Sequence, residues 1–147
     1  DREQGFRDAL KDHNIEINED WFLIGDTTKH SGLSEEAGFE VINKFSELGE
    51  FPEAIFCAND TMAIGAINAL SRLGMSVPED IAIMGHDNIK FSRYIELTTI
   101  DQMMYDIGTK TMQQLDAILG DKQADRLQTA TEPKLIVRNS THNPRNK

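Results

Sequence analysis

Short apolar runs alternate with amphipathic stretches along most of this chain. Residues 1–13 place Phe6, Ala9 and Leu10 at helical spacing. Trp21, Phe22, Leu23 and Ile24 form an apolar run closed by Gly25-Asp26, the pattern of a short buried strand. Thr27 to Gly32 is loop-like. A helix is expected next, with Ser34 as N-cap and Glu35 and Glu36 favourable at the positive end of its dipole. It carries Phe39, Ile42 and Phe45 and ends at Gly49. The unit then recurs. Residues 54–58 read as a strand, 61–73 as a helix ending at Gly74, and 81–84 as a strand closed by Gly85. A last helix is expected over 103–119, with Met104, Ile107, Met112, Leu115, Ile118 and Leu119 as its apolar stripe. Leu135, Ile136 and Val137 read as a final strand, and 142–147 as a flexible tail.

Strands alternating with helices of this length imply right-handed crossovers. The expected fold class is therefore α/β, a doubly wound parallel sheet with helices on both faces. In the helix over 61–73, Met62, Ala63, Ile64, Ala66, Ile67 and Leu70 cover more than one stripe, so it should be buried on two sides. One side is the sheet. The other is a neighbouring helix or a partner subunit.

Composition narrows the functional classes. The 147 residues suit one domain. A net charge of -10, from 25 acidic and 15 basic residues, repels phosphate and disfavours nucleic-acid binding by this segment; the same charge also serves plain solubility. The single cysteine, Cys57, excludes an internal disulfide and fits a reducing cytoplasm, the expected location. No apolar run approaches the roughly 20 residues of a membrane helix, and no signal peptide is visible. The opening Asp1-Arg2, with no initiator Met, is expected to belong to something longer.

Ligands of open parallel sheets bind beyond the carboxyl ends of the strands. Three polar clusters fall there: Asp26-Thr27, Asn59-Asp60 and His86-Asp87-Asn88. Turns and helix caps collect the same residues, and Asp60 has the position of an N-cap for the following helix. Convergence of three clusters on one rim favours a polar pocket. No nucleophile elbow, phosphate-binding glycine loop or metal-ligand spacing is present. His13, His30, His86 and His142 do not pair at helical spacing, so neither enzyme activity nor a metal or other cofactor is expected. His86 lies on the rim, where ligand contact and structural packing both suit it.

From Pro52 onward the chain reads PEAIFCANDTMAIGAINALSRLGMSVPEDIAIMGHDN. This resembles the lactose-repressor/galactose-repressor family of transcription regulators, with its Ala-Asn-Asp, Met-Ala-x-Gly-Ala, Val-Pro-x-Asp-Ile and Gly-x-Asp-Asn motifs. Leu97-Thr98-Thr99-Ile100-x-Gln102, Leu135-Ile136-Val137-Arg138-x-Ser140-Thr141 and the opening Asp1-Arg2-x-x-Gly5-Phe6 are similar to further parts of the family pattern, in the same order. The resemblance implies a periplasmic-binding-protein type I-like subdomain, with residues 1–141 forming the carboxy-terminal part of an effector-binding domain. It implies ligand roles for Arg2, Asn59, Asp87 and Gln102, types that can donate to and accept from sugar hydroxyls. It also implies a homodimer interface at Ile64 and Tyr94. The loop from Thr27 to Glu36 is longer than the family pattern, and no contact is carried over to it.

The expected function is effector binding and dimerisation in a bacterial repressor. The effector is a sugar or sugar phosphate, and operator DNA is reached only through an amino-terminal domain outside this sequence. The alternative is a periplasmic sugar-binding protein of a transport system. By the same resemblance, residues 103–131 would pack on an amino-terminal subdomain that this sequence lacks. The stripe of the helix over 103–119 is then expected to be covered by other contacts, within the chain or from a second copy.

Overall fold

The computed structural model describes residues 2–26, 28–29, 32–120 and 130–142. Thr27 of the first polar cluster, residues 121–129 and most of the expected tail lie outside the described residues. Four α-helices and four short strands are present among those described: α1 (Arg2–Asp12), α2 (Glu35–Leu48), β1 (Ala54–Phe56), α3 (Asp60–Arg72), β2 (Ala82–Met84), β3 (Thr99–Asp101), α4 (Met104–Leu119) and β4 (Lys134–Ile136).

The strands form two two-stranded sheets, β1-β2 and β3-β4, and the expected parallel order holds in the first. β1 and β2 pair in parallel, with Ile55 opposite Ile83. A parallel bridge between Met84 and Thr98 joins β2 to the start of β3. β4 departs from the expectation: it runs antiparallel to β3, with Ile100 opposite Leu135. Apolar runs identify strands, but direction depends on where the connecting chain returns. Helices do cover both faces. Successive side chains of a strand point to opposite sides. Ile55 joins the core beneath α2 and α3, whereas the next ring, Phe56, stacks on Phe6 of α1 at 5.6 Å.

α2 and α3 form the best-buried layer, contributing Ile42, Phe45, Ala63, Ala66 and Leu70 to the core. Their crossing is set by two glycines. A Cβ on Gly38 would sit 1.9 Å from the Met62 carbonyl oxygen, and one on Gly65 would sit 1.8 Å from that of Glu35. Only residues without a side chain permit backbones that close. Gly49, at φ 72°, ends α2 in the left-handed conformation and donates to the Phe45 and Ser46 carbonyls. Ser34 occupies the N-cap of α2 as expected, but its hydroxyl makes no capping bond.

One sequence expectation fails here. The run 21–24 is not a strand. A 3₁₀ turn over Glu19–Trp21 opens it, capped by the Asn18 side chain, and the rest has no ladder partner among the described residues. A strand requires neighbouring backbone groups to pair with, and Ile24 instead stays 74% exposed. The cover expected for the α4 stripe, from within the chain or from a second copy, is not supplied by the described residues. No residue of α4 is buried, and Met112 is 63% and Leu119 78% exposed.

Candidate functional site

The carboxyl ends of β1, β2 and β3 meet through backbone bonds that continue beyond the strands. Cys57 N–H donates to Met84 O, Asp60 N–H to His86 O and Asp87 N–H to Ile100 O, all at 2.8 Å. This lattice fixes the rim on which the polar clusters sit.

Asp60 holds the rim together from below, and here the sequence reading needs correcting. The cap of α3 is Asn59, not Asp60: Asn59 has extended backbone and its Oδ1 accepts from Met62 N–H. Its Nδ2 donates to Leu33 O at 2.8 Å. Asp60, one residue further, turns inward and is fully buried. Its carboxylate accepts from Ile89 N–H at 2.9 Å, Ser92 Oγ at 2.5 Å and Thr99 Oγ1 at 2.6 Å. Gly85 makes room, since a Cβ there would meet Asp60 Oδ1 at 2.2 Å. The shift by one residue follows from geometry: the cap must be extended, while the first helical residue points its side chain back toward the sheet.

Above this network Arg2, Asp87 and Gln102 converge. Arg2 lies in the first turn of α1 and donates from Nη1 to Ala58 O at 2.6 Å. Its Nη2 stands 3.7 Å from Asp87 Oδ1. Gln102 Nε2 donates to the same oxygen, and His86 Nδ1 lies 2.9 Å from it. Asp87 has φ 110° and Asn88 φ 50°, so the chain turns sharply to aim the carboxylate. Asn59 stands apart from this cluster in its contacts, its amide being engaged by α3 and Leu33. Asp26 also stays local: Thr28 donates to its carboxylate from both backbone and side chain, with Lys29 3.2 Å away, and these hold it well below the usual carboxylate range.

His86 is the residue that sequence reasoning weighed and did not assign. It is buried and completes the contacts around Asp87 Oδ1. The contacts of Asn88 with Arg138 and with Asp101 were missed, although Asn88 and Arg138 both lie in motifs that the sequence displays. Beneath the rim, burial pushes the Cys57 thiol up to about 12, with the charge of Asp60 adding to the effect.

Of the two expected interface positions, Ile64 is half-buried. It lines a groove of about 520 Å³ between α2 and α3 with Phe39, Asn68 and Arg72. Tyr94 is 70% exposed and leans on Phe91, itself 52% exposed. Tyr94 therefore does not pack inside this chain.

The fold that carries this rim has counterparts among known proteins. Residues 1–141 match the periplasmic binding protein-like domain family. The chain belongs to that family. A LacI-type transcription regulator from Bifidobacterium animalis superposes over 96% of this chain and 49% of its own, with a TM-score of 0.83 and 33% identity. A sugar-binding regulator of the LacI family from Escherichia coli, solved with phosphate, does so over 95% and 49%, with a TM-score of 0.78 and 28% identity. The HTH-type transcriptional repressor PurR of Actinobacillus pleuropneumoniae is 40% identical over 97% of this chain, which spans 42% of that relative's length. The periplasmic-binding-protein-like chain thus corresponds to the effector-domain region of LacI-type regulators. Those relatives are regulators, which favours that reading over a transport protein.

Proposed function

We propose that this chain binds a small hydroxyl-bearing effector, a sugar or sugar phosphate, and dimerises, within a cytoplasmic transcriptional repressor whose operator DNA is contacted by a separate amino-terminal domain. The role is binding, not catalysis. The carrying observation is the convergence of Arg2, Gln102 and His86 on one oxygen of Asp87. A bidentate cation, a carboxylate and an amide on a cleft rim supply the donors and acceptors that a polyol requires. Asn59, at the head of α3, would offer this rim only the second N–H of an amide otherwise engaged by Met62 and Leu33. Effector binding would bias closure of the cleft and so change operator affinity. Ile64 and Tyr94 would meet a second copy, since interface cores favour aliphatic and aromatic anchors.

Titration calorimetry on the full-length protein against a panel of monosaccharides, sugar phosphates, nucleobases and nucleosides tests the reading. A saturable sugar or sugar phosphate is expected. Asp87→Ala should then cost about 1.5–3 kcal/mol by leaving Arg2 or ligand hydroxyls unpaired, roughly a 10- to 150-fold loss of affinity. Saturation by nucleobases alone, or an unchanged affinity in Asp87→Ala, would overturn it.

A further inference from the structure

We propose that Arg138, Asn88 and Asp101 form a positioning relay that holds Asp87 and Gln102 in contact, pre-organising the site; this rests on the reading of Asp87 and Gln102 as ligand residues. Each of the two lies beside a relay member in sequence: Asp87 next to Asn88, Gln102 next to Asp101. The members come from three different segments of the chain. Arg138, just beyond β4, donates from Nη2 to Asn88 Oδ1 at 2.8 Å and from Nη1 to Leu97 O at 2.6 Å. Asn88 passes the connection on, donating from Nδ2 to Asp101 Oδ2 at 3.0 Å. Asp101 Oδ1 accepts from Met103 N–H at 2.7 Å, which closes a turn around Gln102. These donors hold the Asp101 carboxyl below its ordinary value.

Asn88 is the residue that the geometry singles out. It needs an acceptor toward Arg138 and a donor toward Asp101, and an amide provides these on two separate atoms of one short side chain. Its φ of 50° is one that Asn and Asp tolerate better than most residues. Its backbone N–H is used as well, donating to Thr99 Oγ1 at 3.2 Å, the hydroxyl that also serves the buried Asp60. The position of the Asp87 backbone is therefore over-determined by contacts that never touch ligand.

The relay makes a reciprocal prediction. In Asn88→Asp two carboxylates would face each other where the Asn88–Asp101 bond now lies, and the relay should open. In Asp101→Asn it should weaken. Combining the two, Asn88→Asp with Asp101→Asn, restores every donor and acceptor, because the new carboxylate accepts from Arg138 and from the new amide, whose oxygen still accepts from Met103 N–H.

The readout is the side-chain amide of Gln102 in nitrogen-resolved NMR of the ligand-free protein, assigned by its loss in Gln102→Ala. Asn88→Asp should move that signal toward solvent values and speed its exchange with water about tenfold or more, and the double variant should return it to the wild-type position. A purely structural role predicts lower melting temperatures with the Gln102 signal in place, and that result would overturn the relay. So would a well-folded double variant that leaves the signal displaced. If Asn88→Asp does not fold, Arg138→Lys, which keeps the charge and removes the fork, takes its place with the same expected displacement, and an unmoved signal there counts against the relay. Since no effector enters this measurement, failure of the sugar reading is seen separately, in the calorimetry on Asp87→Ala.

Discussion

At the scale of single residues, Asp60 shows how far a carboxylate can be from its apparent role. Its place after Asn59 reads as a helix cap, yet it is a buried acceptor for three donors on two other segments. Removing an acceptor strands its donors, at about 1–3 kcal/mol for each buried group left unpaired. Asp60→Ala is therefore expected to lower unfolding free energy by about 3 kcal/mol or more in urea denaturation. Asp60→Asn should cost less, because the amide oxygen still accepts and the Thr99 hydroxyl can turn to accept from the amide nitrogen. Equal losses in the two variants would show that the three bonds are not what Asp60 contributes. Cys57 gives a chemical test of the same region. Its thiol titrates near 12 because the thiolate would be buried beside a carboxylate, so at pH 8 the reactive thiolate is scarce. Thiol-disulfide exchange reagents at pH 8 should leave native Cys57 unmodified and label it fully in denaturant. Rapid native labelling would mean that the rim opens readily. The convergence of Arg2, Asp87 and Gln102 was legible in sequence through the family resemblance. That Asn59 would be spent on α3 while Asp60 turned inward was not, because the difference lies in backbone angles at two adjacent positions.

At the scale of elements, the helices were legible and the strand pattern only partly so. Helices satisfy their own backbone, and Gly49 and Gly74, both at positive φ, mark where two of them end. The stretch 21–24 has strand composition, but a strand is defined by its neighbour, and the described residues offer it none. The direction of β4 was equally hidden, because Leu135 and Ile136 look the same in either orientation. The contact between α2 and α3 is the element-level feature with the sharpest consequence. Gly65→Ala would drive a methyl group into the Glu35 carbonyl, forcing the helices apart. Overpacking of this kind costs about 1–3 kcal/mol. Chemical denaturation should register that loss, whereas Gly108→Ala on α4, where nothing lies within 4 Å of a Cβ, should not lose stability. A Gly65→Ala protein as stable as wild type would show that the crossing tolerates separation.

For the molecule as a whole, burial is uneven. α3 contributes Ala63, Ala66, Ala69 and Leu70 to the core, while α4 contributes no buried residue. Local opening follows buried contact density. In hydrogen exchange on this chain alone, the amides of α3 should be the slowest and those of residues 104–119 faster by orders of magnitude. Protection across 104–119 comparable to α3 would show that the stripe is covered, by other parts of the chain or by a second copy. Sequence by itself determined the α/β class, the helices with their glycine stops, the family pattern and the residue types on the rim. The class and the helix stops follow from local rules, in which periodicity, capping and backbone freedom are written in neighbouring positions, while Arg2 and Gln102 were singled out by the family resemblance. Tertiary structure decided the rest: which of Asn59 and Asp60 caps and which is buried, the antiparallel return of β4, the absence of a partner for 21–24, and the route from Arg138 through Asn88 to Asp101. Each depends on groups far apart in the chain meeting at hydrogen-bond distance, and no short window of sequence records that meeting.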